Sequence, residues 1–196
     1  MDLLIPYGLI TITLSQRANA ILYWADKVPI AADKINQRKG EVSFLRALAY
    51  FNIIRIYGGR PDVAEEDKYG AVIMSEFITS SDLEVVIKPR SSVAETYNLI
   101  LSDLDNAIAY LPKAWGGSDK GRANKYSAFA LKAKVLMTMA GTSGNADLWS
   151  KASAACDSVI GSNSFSLWNT VKNGAMGNSY ADLFKKDAEN GVESLF

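Results

Sequence analysis

Apolar residues along this chain recur every three or four positions in five separate stretches, the spacing of an amphipathic helical face. In residues 11–28 the set is Leu14, Ala18, Ile21, Leu22 and Ala25, and Pro29 ends the run. The second stretch, within residues 41–63, is broader. Phe44, Leu45, Ala47, Leu48, Phe51 and Ile54 keep helical spacing while Ala49 and Ile53 fill the gaps, so this helix is expected to be buried on two sides. Asp33 is the candidate cap for the segment leading into it, and Gly58-Gly59 with Pro61 stops it. A third helix opens at Ser92, with Glu95 three residues on in capping-box spacing, and carries the stripe Val93, Tyr97, Ile100, Leu101, Leu104, Ile108 and Leu111 before Pro112. Residues 124–140 present Phe129, Ala130, Ala133, Leu136, Met137 and Ala140. Residues 147–160 present Trp149, Ala152, Cys156, Val159 and Ile160.

The short link between the first two helices predicts an antiparallel hairpin. Small residues at contact positions (Ala47, Ala130, Ala133) suggest tetratricopeptide-like packing, although a strict repeat of about 34 residues is not visible. The expected fold class is all-α: tetratricopeptide-like helical hairpins in a single helical domain over residues 1–196, with long irregular loops. Residues 60–89 form the longest of these, a surface excursion with room for a short strand pair at Glu84-Val85-Val86-Ile87. Its acidic run Glu65-Glu66-Asp67 reads as solvated surface, since the alternating oxygen ligands of a calcium loop are missing. Arg46 and Arg55 are expected at the rim with their stems on the core, and Trp24, Trp149 and Cys156 inside it.

Composition narrows the chemistry. The chain has 196 residues, 48% of them hydrophobic, with 21 Lys plus Arg against 21 Asp plus Glu. Zero net charge argues against a nucleic-acid binder held by bulk electrostatics. There is no histidine, the commonest general base and metal ligand, and a single cysteine permits neither an internal disulfide nor a thiolate cluster. No stretch approaches the ~20 apolar residues of a spanning helix. The apolar start at residues 3–14, followed by Ala18-Asn19-Ala20, has some features of a signal peptide. Asp2 and the interruption at Pro6-Tyr7-Gly8 argue against one, and no lipoprotein cysteine follows.

Four segments carry a family resemblance. Glu41, Phe44, Leu45, Arg46, Ala47, Tyr50 and Phe51, running into Tyr57, Gly58, Gly59 and Pro61, match the "E-x-x-F-L-R-A-x-x-Y-F … Y-G-G-x-P" signature of the SusD-like (SusD/RagB) family. The run Ala18-Asn19-Ala20-Ile21-Leu22 resembles the helix that precedes it in that family. PRSSVAETYNLILSDLDNAIAYLP and GRANKYSAFALKAKVLMTMAG follow in family order, the latter with Ser127 for alanine, Lys134 for arginine and Leu136 for an aromatic. Tyr180, Leu183, Phe184, Asn190, Glu193 and Phe196 resemble the family's "Y-x-x-L-F … N-x-x-E-x-I-F". Asp103 lies on the third pattern, and a structural hydrogen bond or ion pair is its expected role. In the family the last motif lies mid-chain, so the resemblance implies that this chain is part of a larger SusD-like protein.

The resemblance implies a nutrient-binding protein, most often for glycans, lipid-anchored at the extracellular face of the outer membrane. It would cap a SusC-type TonB-dependent transporter and carry out no bond-breaking step; the lipid anchor is absent from this sequence. No cofactor or metal is expected. Sugar recognition needs a flat aromatic face with amide, carboxylate or guanidinium partners for hydroxyls. Trp115, in a loop with Gly116, Gly117 and Gly121, and the pair Trp168-Asn169 fit that chemistry, with Tyr7 a weaker candidate. None of the four lies on a family motif, and each aromatic can equally pack on its own domain. The alternative is a helical protein-interaction scaffold that binds no ligand itself. An enzyme ranks last, because a glycoside hydrolase without histidine needs two carboxylates across a cleft, and no motif supplies that pair.

Overall fold

The computed structural model describes residues 4–63, 69–79, 88–141, 144–167, 183–185 and 189–195, with side chains from residue 13 onward. Among them are five α-helices and no strand: α1 (Leu4–Ala25), α2 (Ala32–Tyr57), α3 (Val93–Tyr110), α4 (Lys125–Ala140) and α5 (Ala146–Ile160). The acidic run and the strand-like segment at 84–87 lie outside the described residues. Each helix packs on the one before it, and the α2–α3 interface is the most extensive.

The core follows from the wide apolar surface of α2. Phe44, Ala47, Phe51 and Ile54 meet Tyr97, Ile100, Leu104 and Ala107 of α3, and Ala128, Leu131 and Val135 of α4 join the same cluster. Fully burying a side chain such as Phe51 stabilises by roughly 1.5–3 kcal/mol. Ala47, Ala107 and Ala128 have no exposed surface; a methyl group is all the space between these helices admits. On α4 the alanines buried completely are Ala128 and Ala140, while Ala130 is only half-buried. The two-sided burial expected of α2 is present, with α1 on one side and α3 on another.

Helix ends follow local chemistry. The Ser92 hydroxyl accepts from the Glu95 N–H at 3.1 Å, and the Glu95 carboxylate accepts from the Ser92 N–H at 2.8 Å, completing the expected capping box. The Ser92 N–H and hydroxyl, both donating to the Glu95 carboxylate, hold its carboxyl below the usual glutamate range. Asn124 does the same work for α4, accepting from the N–H groups of Tyr126 and Ser127. Gly58 ends α2 by donating to the Ile54 carbonyl.

Several expectations are corrected. Helix α1 begins at Leu4 and ends at Ala25, rather than spanning 11–28. Pro6 stands in its first turn, where the missing N–H costs no hydrogen bond. The N-cap of α2 is Ala31, with no side-chain bond, and Asp33 sits instead in the first turn, where its charge favours the helix dipole. The buried face of α1 runs through Ser15, Ala18, Asn19 and Ala25, leaving Ile21 exposed. Leu45, Met137 and Ile160 are also exposed, Cys156 is half-buried, and Trp24 and Trp149 are 51% and 45% exposed rather than in the core.

Arg46 is the most informative departure. It lies buried, not at the rim, because each nitrogen of its guanidinium meets a protein acceptor. Nε and Nη2 donate to the two oxygens of Asp103 on α3 at 2.7 and 2.6 Å, and Nη1 donates to Asn19 Oδ1 on α1 at 2.5 Å. Asp103 thus has the structural role expected of it. Burial pushes its carboxyl up, and the Arg46 hydrogen bonds oppose that shift. Asn19 turns its amide to the carbonyls of Met74 and Glu76 at 2.6 and 3.0 Å. The Met74 N–H donates to the Tyr50 hydroxyl at 2.8 Å, and the Ala71 N–H to Thr96 Oγ1 at 3.0 Å. Part of the supposed surface excursion is therefore stitched into the core, with Ala71 and Met74 buried. Arg55, by contrast, is exposed as expected, its guanidinium over the Phe51 ring.

Candidate functional site

A cavity of about 280 Å³ opens where the loop between α3 and α4 meets the end of the chain. Lys113, Trp115, Lys120, Gly121 and Arg122 line it from the loop, Asn124 from the start of α4, and Ser164, Asn190 and Ser194 from the far side. The loop is anchored at its C-terminal end, where the Lys125 N–H donates to the Pro112 carbonyl at 2.8 Å. A 3-10 turn at Gly117–Asp119 shapes its tip.

Trp115 is half-buried. Its indole N–H donates to the Ala123 carbonyl at 2.7 Å, and the Arg122 guanidinium lies 4.2 Å from its ring centroid, a cation–π contact. The ring also rests on the hydrophobic core. Trp115 is thus a fixed wall of the cavity, with no polar group left to satisfy.

Arg122 is fixed in turn. Nε and Nη2 donate to the two oxygens of Glu41 on α2 at 2.7 and 2.5 Å, and Nη1 donates to Asp119 Oδ1 at 2.9 Å. Hydrogen bonding to Glu41 is the largest cause pushing the Arg122 pKa up, so the guanidinium is always charged. Glu41 also accepts from Arg38 at 3.0 Å.

Residues 189–195 close the far side. The Leu195 carbonyl accepts from Asn124 Nδ2 at 3.0 Å and from Ser127 Oγ at 2.6 Å, and the Ser166 N–H donates to the Val192 carbonyl. Asn190 adopts a positive φ of 57° beside Gly121, itself at φ +88°. The positive φ favours glycine at position 121, and a Cβ there would stand 2.8 Å from Asn190 Oδ1, so the Asn190 side chain would have to shift.

Of the four sequence candidates, Trp115 is placed on this cavity. Trp168 and Asn169 lie outside the described residues, and Tyr7 lies within α1 with its side chain outside them. The residues missed as site-formers are Glu41, Arg122 and Asn190. Each lies on a quoted motif, so the signal was the recurrence of polar residues in otherwise apolar patterns. Among the described residues no group of His, Cys, Asp and Glu could hold a metal ion, and no described helix is long and apolar enough to cross a membrane.

A second cavity, of about 400 Å³, lies at the α1–α2 turn between Ile21, Trp24, Val28, Ile30, Ile35 and Arg38. It is strongly apolar, and Lys27 covers the Tyr23 ring at 3.2 Å beside it.

Comparison with known proteins places these motifs. A SusD-like family model, described as starch-binding associating with outer membrane, matches residues 16–137. A SusD-like protein of Formosa agariphila is 33% identical over 174 residues, covering 89% of this chain and 28% of that protein. The solved structure of a SusD-like protein of Bacteroides fragilis superposes with a TM-score of 0.71 at 26% identity, over 93% of this chain and 30% of that one. Another structure, solved with xylogluco-oligosaccharide, superposes at 0.70 with 22% identity, which shows shared fold alone; it covers 95% of this chain and 33% of that one. The chain thus spans under a third of the length of each.

Proposed function

This chain belongs to the SusD-like family, and on that premise we propose that it binds a glycan at the Trp115 cavity, at the extracellular face of the outer membrane, and helps to cap a SusC-type TonB-dependent transporter. The observation that carries the glycan reading is the indole of Trp115, held by Ala123 and Arg122 at the wall of a cavity whose opposite side offers Asn190, Ser164 and Ser194. An ordered aromatic wall facing neutral hydrogen-bonding groups suits a pyranose, which presents an apolar face and a hydroxyl edge. On this reading the cavity holds the glycan without breaking bonds.

Electrophoresis through gels containing soluble polysaccharides tests this reading. The wild-type chain is expected to be retarded by at least one glycan, Trp115→Ala to lose that retardation, and Trp115→Phe to keep part of it. Trp168→Ala and Asn169→Ala report whether that second pair, and Tyr7→Ala whether the start of α1, contributes. Retardation unchanged in every variant would dismiss the site.

A second reading, the helical scaffold, is favoured by one observation: the exposed apolar groove at Ile21, Trp24, Val28 and Ile30. Contiguous exposed apolar surface marks interaction sites. Loss of transporter co-purification in Trp24→Ser with glycan retardation intact would assign that groove to the partner.

A further inference from the structure

We propose that the Trp115 cavity selects glycans bearing an anionic substituent, a carboxylate or a sulfate. This inference rests on the glycan reading of the same cavity and adds the substrate class. Three cationic side chains, Lys113, Lys120 and Arg122, line the cavity, and no carboxylate is among its described lining residues.

The nearby acids are already engaged. Asp119 accepts from Arg122, and Glu41 accepts from both Arg122 and Arg38. That cluster of two arginines and two carboxylates is neutral. Lys113 and Lys120 are exposed and have no carboxylate partner among the described residues. Elsewhere on the surface Lys39, Lys132 and Lys151 pair with Asp26, Asp105 and Asp147. Among the described residues the loop therefore holds two positive charges with no carboxylate partner, while the chain as a whole carries no net charge. Glu189 and Glu193 share the closing tail but do not line the cavity, and Glu193 is itself engaged.

Arg122 strengthens the preference. Three of its five N–H donors serve Glu41 and Asp119, leaving two for a ligand. Asn124, the N-cap of α4, also lines the cavity, which puts the positive end of that helix dipole beside it. The cavity's size, just under the ~300–1,000 Å³ of typical ligand sites, suits one sugar ring with its substituent rather than a long chain segment.

The test is calorimetric titration of the 196-residue chain with trigalacturonate, a sulfated carrageenan disaccharide and maltotriose, at low and high sodium chloride. At low salt at least one anionic sugar is expected to bind about tenfold more tightly than maltotriose, a preference that high salt screens away. Which anionic sugar binds assigns carboxylate or sulfate. The double variant Lys113→Gln, Lys120→Gln is expected to abolish the anionic preference, read as the ratio of the two affinities measured in that same variant. Equal binding of all three sugars, lost together in Trp115→Ala, would overturn the anionic preference and keep the glycan site. An anionic preference indifferent to the lysine changes would overturn this assignment as well. Binding of none of the three, together with no retardation in any polysaccharide gel, would remove the glycan reading and this inference with it.

Discussion

Helix α2 contributes to two ion pairs of nearly identical chemistry with different consequences. Arg46 makes a two-pronged pair with Asp103 of α3, and five residues earlier Glu41 makes one with Arg122 of the following loop. The first is dry: its side chains are 9% and 1% exposed. The second is at the rim, at 14% for Glu41 and 26% for Arg122. In the interior, every remaining donor must find a protein acceptor, which is why Asn19 and the 71–77 segment are drawn in. At the rim, water can serve the leftover donors, so Arg122 is free to cover Trp115 and face a cavity. Depth, rather than residue type, makes one pair a fastening of the fold and the other a wall of the site.

The largest expected effect breaks the buried pair. Asp103→Ala leaves Arg46 charged and without its carboxylate partner, and should cost about 3–5 kcal/mol in urea unfolding. Replacing both partners, Arg46→Met with Asp103→Leu, should recover most of that loss, because two desolvated charges are replaced by apolar packing. If the double variant is as unstable as Asp103→Ala, burial of an unpaired charge is the wrong explanation.

Next in size is Asn19→Ala, which removes one acceptor from Arg46 and two donors from the Met74 and Glu76 carbonyls. A loss of about 1–3 kcal/mol is expected, with faster amide exchange at Met74 than at Ile100. The rim pair follows. Glu41→Gln should change unfolding by no more than about 1 kcal/mol, and that difference should shrink in high salt.

Smallest is the exposed carboxylate at the start of α3. The Glu95 pKa is lowered by the Ser92 donors, so its contribution is complete above the usual glutamate range and is lost as pH falls through the lowered value. Glu95→Gln should therefore flatten the acid side of the stability curve slightly. A steeper acid limb in that variant would contradict the sign.

Local chemistry was legible in the sequence where neighbours decide it. The Ser92–Glu95 box, the stripe of α3 and the double face of α2 all depend on residues within a few turns. The buried face of α1 was not, because apolar periodicity favours Ile21 while the fold uses Asn19, whose value comes from Arg46, 27 residues away. Arg46 itself was misplaced at the rim for the same reason: its partner is 57 residues distant. Trp24 and Trp149 carry core-like side chains on faces that no described helix covers. At the site, the glycine-rich loop pointed to Trp115. Only the fold brings Glu41, Arg122 and Asn190 to it, the first two being 81 residues apart.

The contrast between the two pairs is tested most directly by measuring glycan affinity and thermal unfolding on the same preparation of Glu41→Gln, with the sugar that the wild-type chain binds best. Loosening Arg122 over Trp115 is expected to weaken binding about fivefold, close to 1 kcal/mol, while the unfolding midpoint stays within about 4 °C of wild type. Unchanged affinity, or a collapse of affinity and stability together, would contradict the division between a buried fastening and a rim that shapes the site.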